Sequence, residues 1–383
     1  MTRTLLPLVA LLSVDAGPSD IGILSALSVA PGFLIGLLIG GRVDRSAKRP
    51  MLIGSDLVRA GLLITVPAAA WIDWLSMWHL YFVAAGVGAA TSVFQIADNA
   101  YLPSLIGKKH LVEANAKLEV TEAIAEIGGP SLAGAMLLVV TAPVAIVFDT
   151  VSYVISAAFL GLIRKPEVGP DSDTESPTLM RDLRVGLRAG FEDAIVRPLF
   201  LASGCSAFFN SFFFTLYMIF TIETLGLSPG VVGVLIGLGG VGALFGTVIA
   251  QWLPSRLGLG GAMILLAGFG QATVLLIPMA SGPSWVAIGL LGVHQFFGDA
   301  LLTAYFVLAI SLRQTVLPMN VLGRANATFH MMTGVLVPSG ALIAGWLATA
   351  TDVRSTVWIA AIGGLLVPFI LLFSRIRGLR RMP

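Results

Sequence analysis

Eleven apolar runs, each close to the length that crosses a bilayer, dominate this chain. They lie near 21–41, 51–71, 75–97, 122–141, 143–163, 198–222, 229–252, 260–280, 284–311, 325–350 and 355–374. A helix needs about 20 apolar residues to span hydrocarbon. No water is available there for backbone N–H and C=O groups, so each run must close its hydrogen bonds internally, as a helix. Thr4 to Val14, ahead of them, is apolar but too short to cross alone. It lacks the basic flank and small-residue cleavage site of a signal peptide. Only 11% of the 383 residues are charged, against about 25% in soluble domains. The 43 glycines suit close helix packing in lipid. The single cysteine, Cys205, rules out an intrachain disulfide.

The stretch from Gly40 to Arg49 packs four cations and one carboxylate between two of these runs. Such a hairpin cannot sit in hydrocarbon, and its positive charge places it on the cytoplasmic side. With that loop inside, 20 of the 23 lysines and arginines fall inside. Arg354 alone lies in an outer loop, Arg3 is terminal, and Arg59 is within a span. The expected topology is multi-pass in a bacterial cytoplasmic membrane, with the C-terminus cytoplasmic.

One long inside loop, 164–197, divides the chain into an N-terminal repeat, 1–163, and a C-terminal repeat, 198–383. Its first part, Glu167 to Pro177, is acidic and rich in Pro and Ser, as linkers are. Its second part carries Leu179, Leu183, Leu187, Phe191 and Ile195 at intervals of four, the pattern of an amphipathic surface helix. The halves resemble each other. Ala114-Asn115-Ala116 recurs as Ala325-Asn326-Ala327, an offset of 211 that also relates Gly22 to Gly233 and Arg45 to Arg256. Parallel repeats of this kind are a transporter architecture. The same offset puts the partner of the 198–222 run partly before residue 1. The expectation is twelve transmembrane helices in two six-helix repeats, with the first helix truncated through either a mis-assigned start, which an upstream in-frame extension would support, or a truncated gene product.

Gly40-x-x-x-Asp44-Arg45-x-x-Lys48-Arg49 resembles the signature loop between helices two and three of the major facilitator superfamily. The branch it resembles holds the enterobactin exporter and macrolide-efflux proteins. That likeness rests on Asp56-x-x-Arg59, Leu102-Pro103-Ser104-Leu105, Gly129-Pro130-x-x-Ala133-Gly134, Asp149-x-x-Ser152-Tyr153 and Gly323-Arg324-Ala325-Asn326-Ala327. Ala47 stands where glycine is usual, and Ser255 occupies the second-half place of Asp44. The span from His79 to Ala97 lacks the arginine of many proton-coupled drug antiporters. As a latch, Asp44 would accept from amides at a helix N-terminus. Arg45 and Arg49 would pair with a carboxylate such as Asp98. The competing reading is a plain positive-inside loop.

Ionisable groups inside spans are costly and usually functional. Asp299, Glu126 and Asp149 are candidates for proton carriage or contact with a cationic substrate, since a desolvated carboxylate can exchange a proton near neutral pH. Glu122, one turn from Glu126, and mid-span Asn210 complete the set. A structural hydrogen bond is the alternative for each. Gly129, Pro130 and Gly134, echoed by Pro338, invite helix bends. Gly32, Gly36 and Gly40, and Gly242 with Gly246, form smooth packing faces. The histidines are scattered, so no metal site is expected.

The function expected is secondary active transport by alternating access, exporting a small amphipathic molecule, drug- or siderophore-like, against a proton flow. No nucleotide-binding loop, cofactor or nucleic-acid partner is expected, and an enzyme is disfavoured. The partners are the substrate and the bilayer, the chain working as a monomer. No arginine or lysine is expected deep in the spans, which argues against anionic solutes. Import of a nutrient, a membrane sensor and an inactive truncated relic are the alternatives.

Overall fold

A computed structural model describes residues 1–35, 46–106, 121, 125, 129, 132–133, 136–137, 139–163 and 190–382, with residues 99–100, 102–106, 319–320 and 322–324 described by their backbone alone. Among them ten helices are long and apolar enough to cross a membrane. They coincide with ten of the eleven apolar runs. The remaining run, 122–141, and the linker helix expected at 179–195 lie largely outside the described residues. No strand occurs among the described residues.

The chain divides into two compact units, Met1–Pro177 and Thr178–Pro383. The first holds α1 (Thr2–Ser13), α2 (Pro18–Ile35), α3 (Lys48–Trp71), α4 (Met77–Ile106) and α5 (Ala142–Leu162). α3 is its hub, packing along both α4 and α5, and α1 lies on α5. Asp20 caps the start of α2, accepting the Gly17 N–H at 3.0 Å. Its other oxygen accepts the Tyr81 hydroxyl at 2.8 Å, tying α2 to α4.

The second unit holds α6 (Val196–Ile219), α7 (Pro229–Leu257), α8 (Leu259–Met279), α9 (Trp285–Val316), α10 (Met319–Ala350) and α11 (Val353–Leu372). Its core gathers Leu199, Met263, Leu266, Tyr305, Leu312 and Leu371 from four of these helices. α6 ends in a π-turn, Phe220–Thr224, and α9 contains another, His294–Gly298.

Lipid is as apolar as leucine, so close contact rather than water exclusion must hold these helices together. Glycines supply that contact. A Cβ on Gly242 would collide with the Phe296 carbonyl, and one on Gly246 with the Ala300 carbonyl, so α7 lies directly on the α9 backbone. Gly32 and Gly88 do the same between α2 and α4. The stripes expected at Gly242 and Gly246 and at Gly32 are therefore packing faces; Gly36 and Gly40 lie outside the described residues. The outward sides carry large apolar residues such as Phe148, Ile155 and Phe159 on α5 and Val234, Val241 and Val248 on α7, all exposed.

Four tryptophans gather at one end of the spans. Trp71, Trp74, Trp78 and Trp285 are strongly exposed at the ends of α3, α4 and α9 that lie away from the arginine-rich ends. Interfacial belts of amphipathic rings have this placement. At the same end, Asp352 caps α11. Its carboxylate accepts the Ser355 N–H at 2.8 Å and the Ser355 hydroxyl at 2.6 Å, which hold it below the ordinary aspartate range. Arg354 donates to the Pro278 carbonyl at 2.8 Å, fastening α11 to the end of α8.

Candidate functional site

In the first unit the polar residues converge on the middle of α3. Asp56 and Arg59, one turn apart, form a buried ion pair. The guanidinium is sandwiched, 4.4 Å from the Phe94 ring of α4 and 4.4 Å from the Tyr153 ring of α5. Arginine suits such a place because its planar charge stacks on ring faces while its edge stays free for hydrogen bonds. Asp149 is buried beside the sandwich, its carboxylate accepting the Thr2 hydroxyl of α1. Thr2 also meets the Tyr153 hydroxyl at 3.2 Å. Two buried polar atoms of the pair, Asp56 Oδ2 and Arg59 Nε, have no hydrogen-bond partner among the described residues.

Arg59 overturns one expectation. It stands halfway along the 24-residue α3 and is only 6% exposed, so a cation does lie deep in a span. Position within an apolar run carried the signal. The burial depends on rings from two distant segments, which the local pattern around Arg59 does not contain.

In the second unit the cluster is built on the π-turn of α9. A π-turn adds a residue to the helical circuit and is common at functional sites. Here it precedes Asp299, with His294 and Gln295 buried within it. The His294 Nδ1 lies 3.0 Å from the Thr273 hydroxyl of α8. That hydroxyl donates to the Gly270 carbonyl at 2.7 Å, so the ring nitrogen is the donor and Nε2 is left for another contact. Phe213 of α6 packs edge-on to the imidazole at 5.5 Å. Gln295 donates to the Leu235 carbonyl of α7 at 3.4 Å. Asp299 lies against Gly239 of α7, where a Cβ would collide with its carboxylate oxygen. Asp299 has no ion-pair partner among the described residues. The buried Tyr217 hydroxyl has no hydrogen-bond partner among the described residues and lies within electrostatic reach of Asp299.

The structure sorts the remaining sequence candidates. Arg49 makes its described contacts with helix ends: Nε donates to the Leu160 carbonyl at 2.9 Å and Nη2 to the Gly161 carbonyl. A cation at the C-terminus of α5 is favoured by the helix dipole. The expected pairing with Asp98 is not among these contacts, and Asp98 is half-buried in the C-terminal part of α4 with no ion pair among the described residues. Lys48 donates to the Ser46 carbonyl at 2.8 Å. Asn210 bonds within its own helix, to Ser206 Oγ at 3.3 Å. Pro338 is buried in α10, which stays helical through it. Two residues on, Gly340 lies against the Phe208 carbonyl of α6. Gly129 approaches Met1. Gly40, Asp44, Arg45, Glu122, Glu126, Pro130 and Gly134 lie outside the described residues. Sequence reasoning missed Thr273, Tyr217 and Gly239 as parts of a cluster, because none is ionised and each lies in an apolar run.

This architecture has counterparts among known proteins. The uncharacterized MFS-type transporter YvqJ of Bacillus subtilis (strain 168) is 22% identical over 354 residues, 91% of this chain and 82% of that protein. Macrolide efflux protein A of Streptococcus pyogenes is 22% identical over 374 residues, 94% of this chain and 87% of that protein. A crystal structure of a mutant of the nucleoside transporter NupG superposes with a TM-score of 0.78 at 12% identity, covering 97% of this chain and 94% of that one. At that identity the likeness shows the fold. A family profile described as transmembrane secretion effector matches residues 5–382. The chain therefore belongs to the transmembrane secretion effector family, within the efflux branch of the major facilitator superfamily of membrane transporters.

Proposed function

We propose that this chain exports a small amphipathic molecule across a bacterial cytoplasmic membrane by alternating access, driven by proton counter-flow. The observation that carries the reading is the Asp299 cluster: a half-buried carboxylate in mid-span, without an ion pair among the described residues, against Gly239 and beside a π-turn. A carboxylate kept in such surroundings for structure alone would be paired, since an isolated buried charge is strongly unfavourable. A group that exchanges its proton resolves that conflict, alternating between a neutral acid and a carboxylate. Asp149 is a second candidate of the same kind, although its hydrogen bond to Thr2 gives it a structural role as well. Export rather than import is supported by the likeness to macrolide efflux protein A.

Arg59 removes the earlier argument against anionic solutes but does not replace it with a binding site. Two rings lie against its guanidinium and Asp56 pairs with it. The orientation proposed puts the C-terminus in the cytoplasm, following the basic residues. The transporter works as a monomer, with no cofactor beyond the proton gradient.

The test is accumulation of labelled amphipathic compounds, macrolides and catechol siderophores among them, in cells making this chain. Lower accumulation that a protonophore abolishes is the expected result. Asp299→Asn is expected to remove the pH dependence while leaving the protein folded. Unchanged pH-dependent transport by that variant would refute the role given to Asp299.

A further inference from the structure

The chain leaves its last span onto a charged platform. α11 ends at Leu372, and Arg375, Arg377, Arg380 and Arg381 follow within nine residues. These arginines are exposed, and no carboxylate lies within ion-pair distance of any of them among the described residues. The backbone that carries them is firmly held. The Gly260 N–H donates to the Leu379 carbonyl at 2.8 Å and the Leu259 N–H to the Arg380 carbonyl at 3.2 Å, so the tail caps the start of α8. Ile376, between two of the arginines, is completely buried. Gly260 lies so close to the Ile376 carbonyl that no side chain fits there.

Arg375 and Arg377 line a cleft of about 810 Å³ with Ser374, Leu379, Asp193 and Ile195. Asp193 offsets them in part but forms no ion pair with either among the described residues. One of its oxygens accepts the Ile195 N–H at 2.7 Å and the Val196 N–H at 2.9 Å, engaging it at the start of α6. On the membrane side of the arginines, Phe373 is 84% exposed. The site thus offers cations to an anionic oxygen group and, one step deeper, an apolar ring to an acyl chain.

We infer that this cleft binds the phosphate headgroup of an anionic phospholipid. Juxtamembrane arginine clusters attract such lipids, each contributing about fivefold in affinity. A free phosphate ion would satisfy the arginines but leave Phe373 with no role, so the lipid is the better occupant. The inference is independent of the substrate and of the proton coupling proposed above.

The experiment is native mass spectrometry of the full chain purified from vesicles of equal parts phosphatidylglycerol and phosphatidylcholine. Phosphatidylglycerol is expected to be retained preferentially. The double variant Arg375→Gln/Arg377→Gln should retain about twenty-fivefold less of it, while Arg375→Lys/Arg377→Lys keeps most. Asp193→Asn, which preserves the oxygen facing the amides and removes a charge, should retain more. Equal retention of the two lipids by the unaltered protein, or unchanged retention by the glutamine variant, would overturn the inference. Displacement of the lipid by excess inorganic phosphate would identify a free-anion site and overturn it too. Should the glutamine variant not fold, the lipid preference of the unaltered protein and of the lysine variant decides.

Discussion

Removing one partner of the Asp56–Arg59 pair should harm this protein more than removing both. Asp56→Leu leaves a buried guanidinium in mid-span without its ion-pair partner. Arg59→Met leaves the Asp56 carboxylate buried, with Oδ2 already without a partner. Breaking a buried pair from either side costs about 3–5 kcal/mol, because a lone charge stays in a poor solvent. Arg59→Met also loses two stacking contacts, each about 0.5–1 kcal/mol. The double variant strands no charge from the pair and fills similar volume with apolar atoms. Its loss should be confined to the stacking and some repacking, about 1–3 kcal/mol. With the stacking included, the singles would sum to about 7–12 kcal/mol, so the cycle should show a favourable coupling of several kcal/mol.

The assay is equilibrium unfolding in mixed micelles, followed by the intrinsic fluorescence of the seven tryptophans. A double variant as unstable as the sum of the singles would show that the two side chains act independently. That result would refute the ion-pair account. Asp149 gives an internal check. In the Arg59→Met background, Asp149→Asn removes another carboxylate from the same cluster, so it should restore stability.

Gly242→Ala should destabilise by about 1–3 kcal/mol, because its Cβ meets the unyielding backbone of Phe296; Gly289→Ala on α9, with nothing within 4 Å, should be neutral or slightly stabilising, and a thermal melt separates them. Asp352→Ala should produce a small loss of stability, at the low end for a helix cap since the site is exposed. Because the Asp352 carboxyl is held below its ordinary value, its contribution is present at neutral pH and disappears as acid titrates it, so the difference between variant and parent should vanish at strongly acid pH. In a Cys205→Ala background, Asp73→Cys should react with an impermeant maleimide added outside intact cells, and Ser46→Cys only after lysis; the reverse pattern would invert the proposed topology.

What was legible in the sequence was what depends on short-range pattern. Ten spans could be placed because length and hydropathy alone decide whether a segment survives in lipid. Gly242 and Gly246 were legible as a packing face because helical spacing puts them on one side. Arg59 was legible as embedded, yet its significance was not, since Phe94 and Tyr153 reach it from other helices. The π-turn at His294–Gly298 was not legible either. Its hydrogen bonds follow from how α9 seats on α7 and α8, and the run around it is simply apolar. Arg49 shows the same limit. Its charge was legible, but its acceptors are main-chain carbonyls of α5, which no residue type announces.

The internal repeat explains how the two clusters differ. Residues 28 and 88 in the first unit correspond, at the offset of 211, to 239 and 299 in the second. Both pairs are points of close contact between matching helices. In the first, Gly88 of α4 admits the backbone of Ser28 on α2. In the second, the glycine has moved to the other helix: Gly239 of α7 admits the carboxylate of Asp299 on α9. The crossing is kept and the occupant of the contact has changed from a main-chain carbonyl to an ionisable side chain. The exchange runs the other way on α3 and α8. Asp56 and Arg59 stand at the positions of Ala267 and Gly270, so the first unit has a buried ion pair where the second has only small residues. The repeat therefore preserves backbone approach while each half keeps a different charge in its interior. One half holds an ion pair stacked on two rings, with the Asp149 carboxylate buried beside it. The other holds a carboxylate without such a pair. It is to that unpaired carboxylate, Asp299, that the proposed proton exchange is assigned.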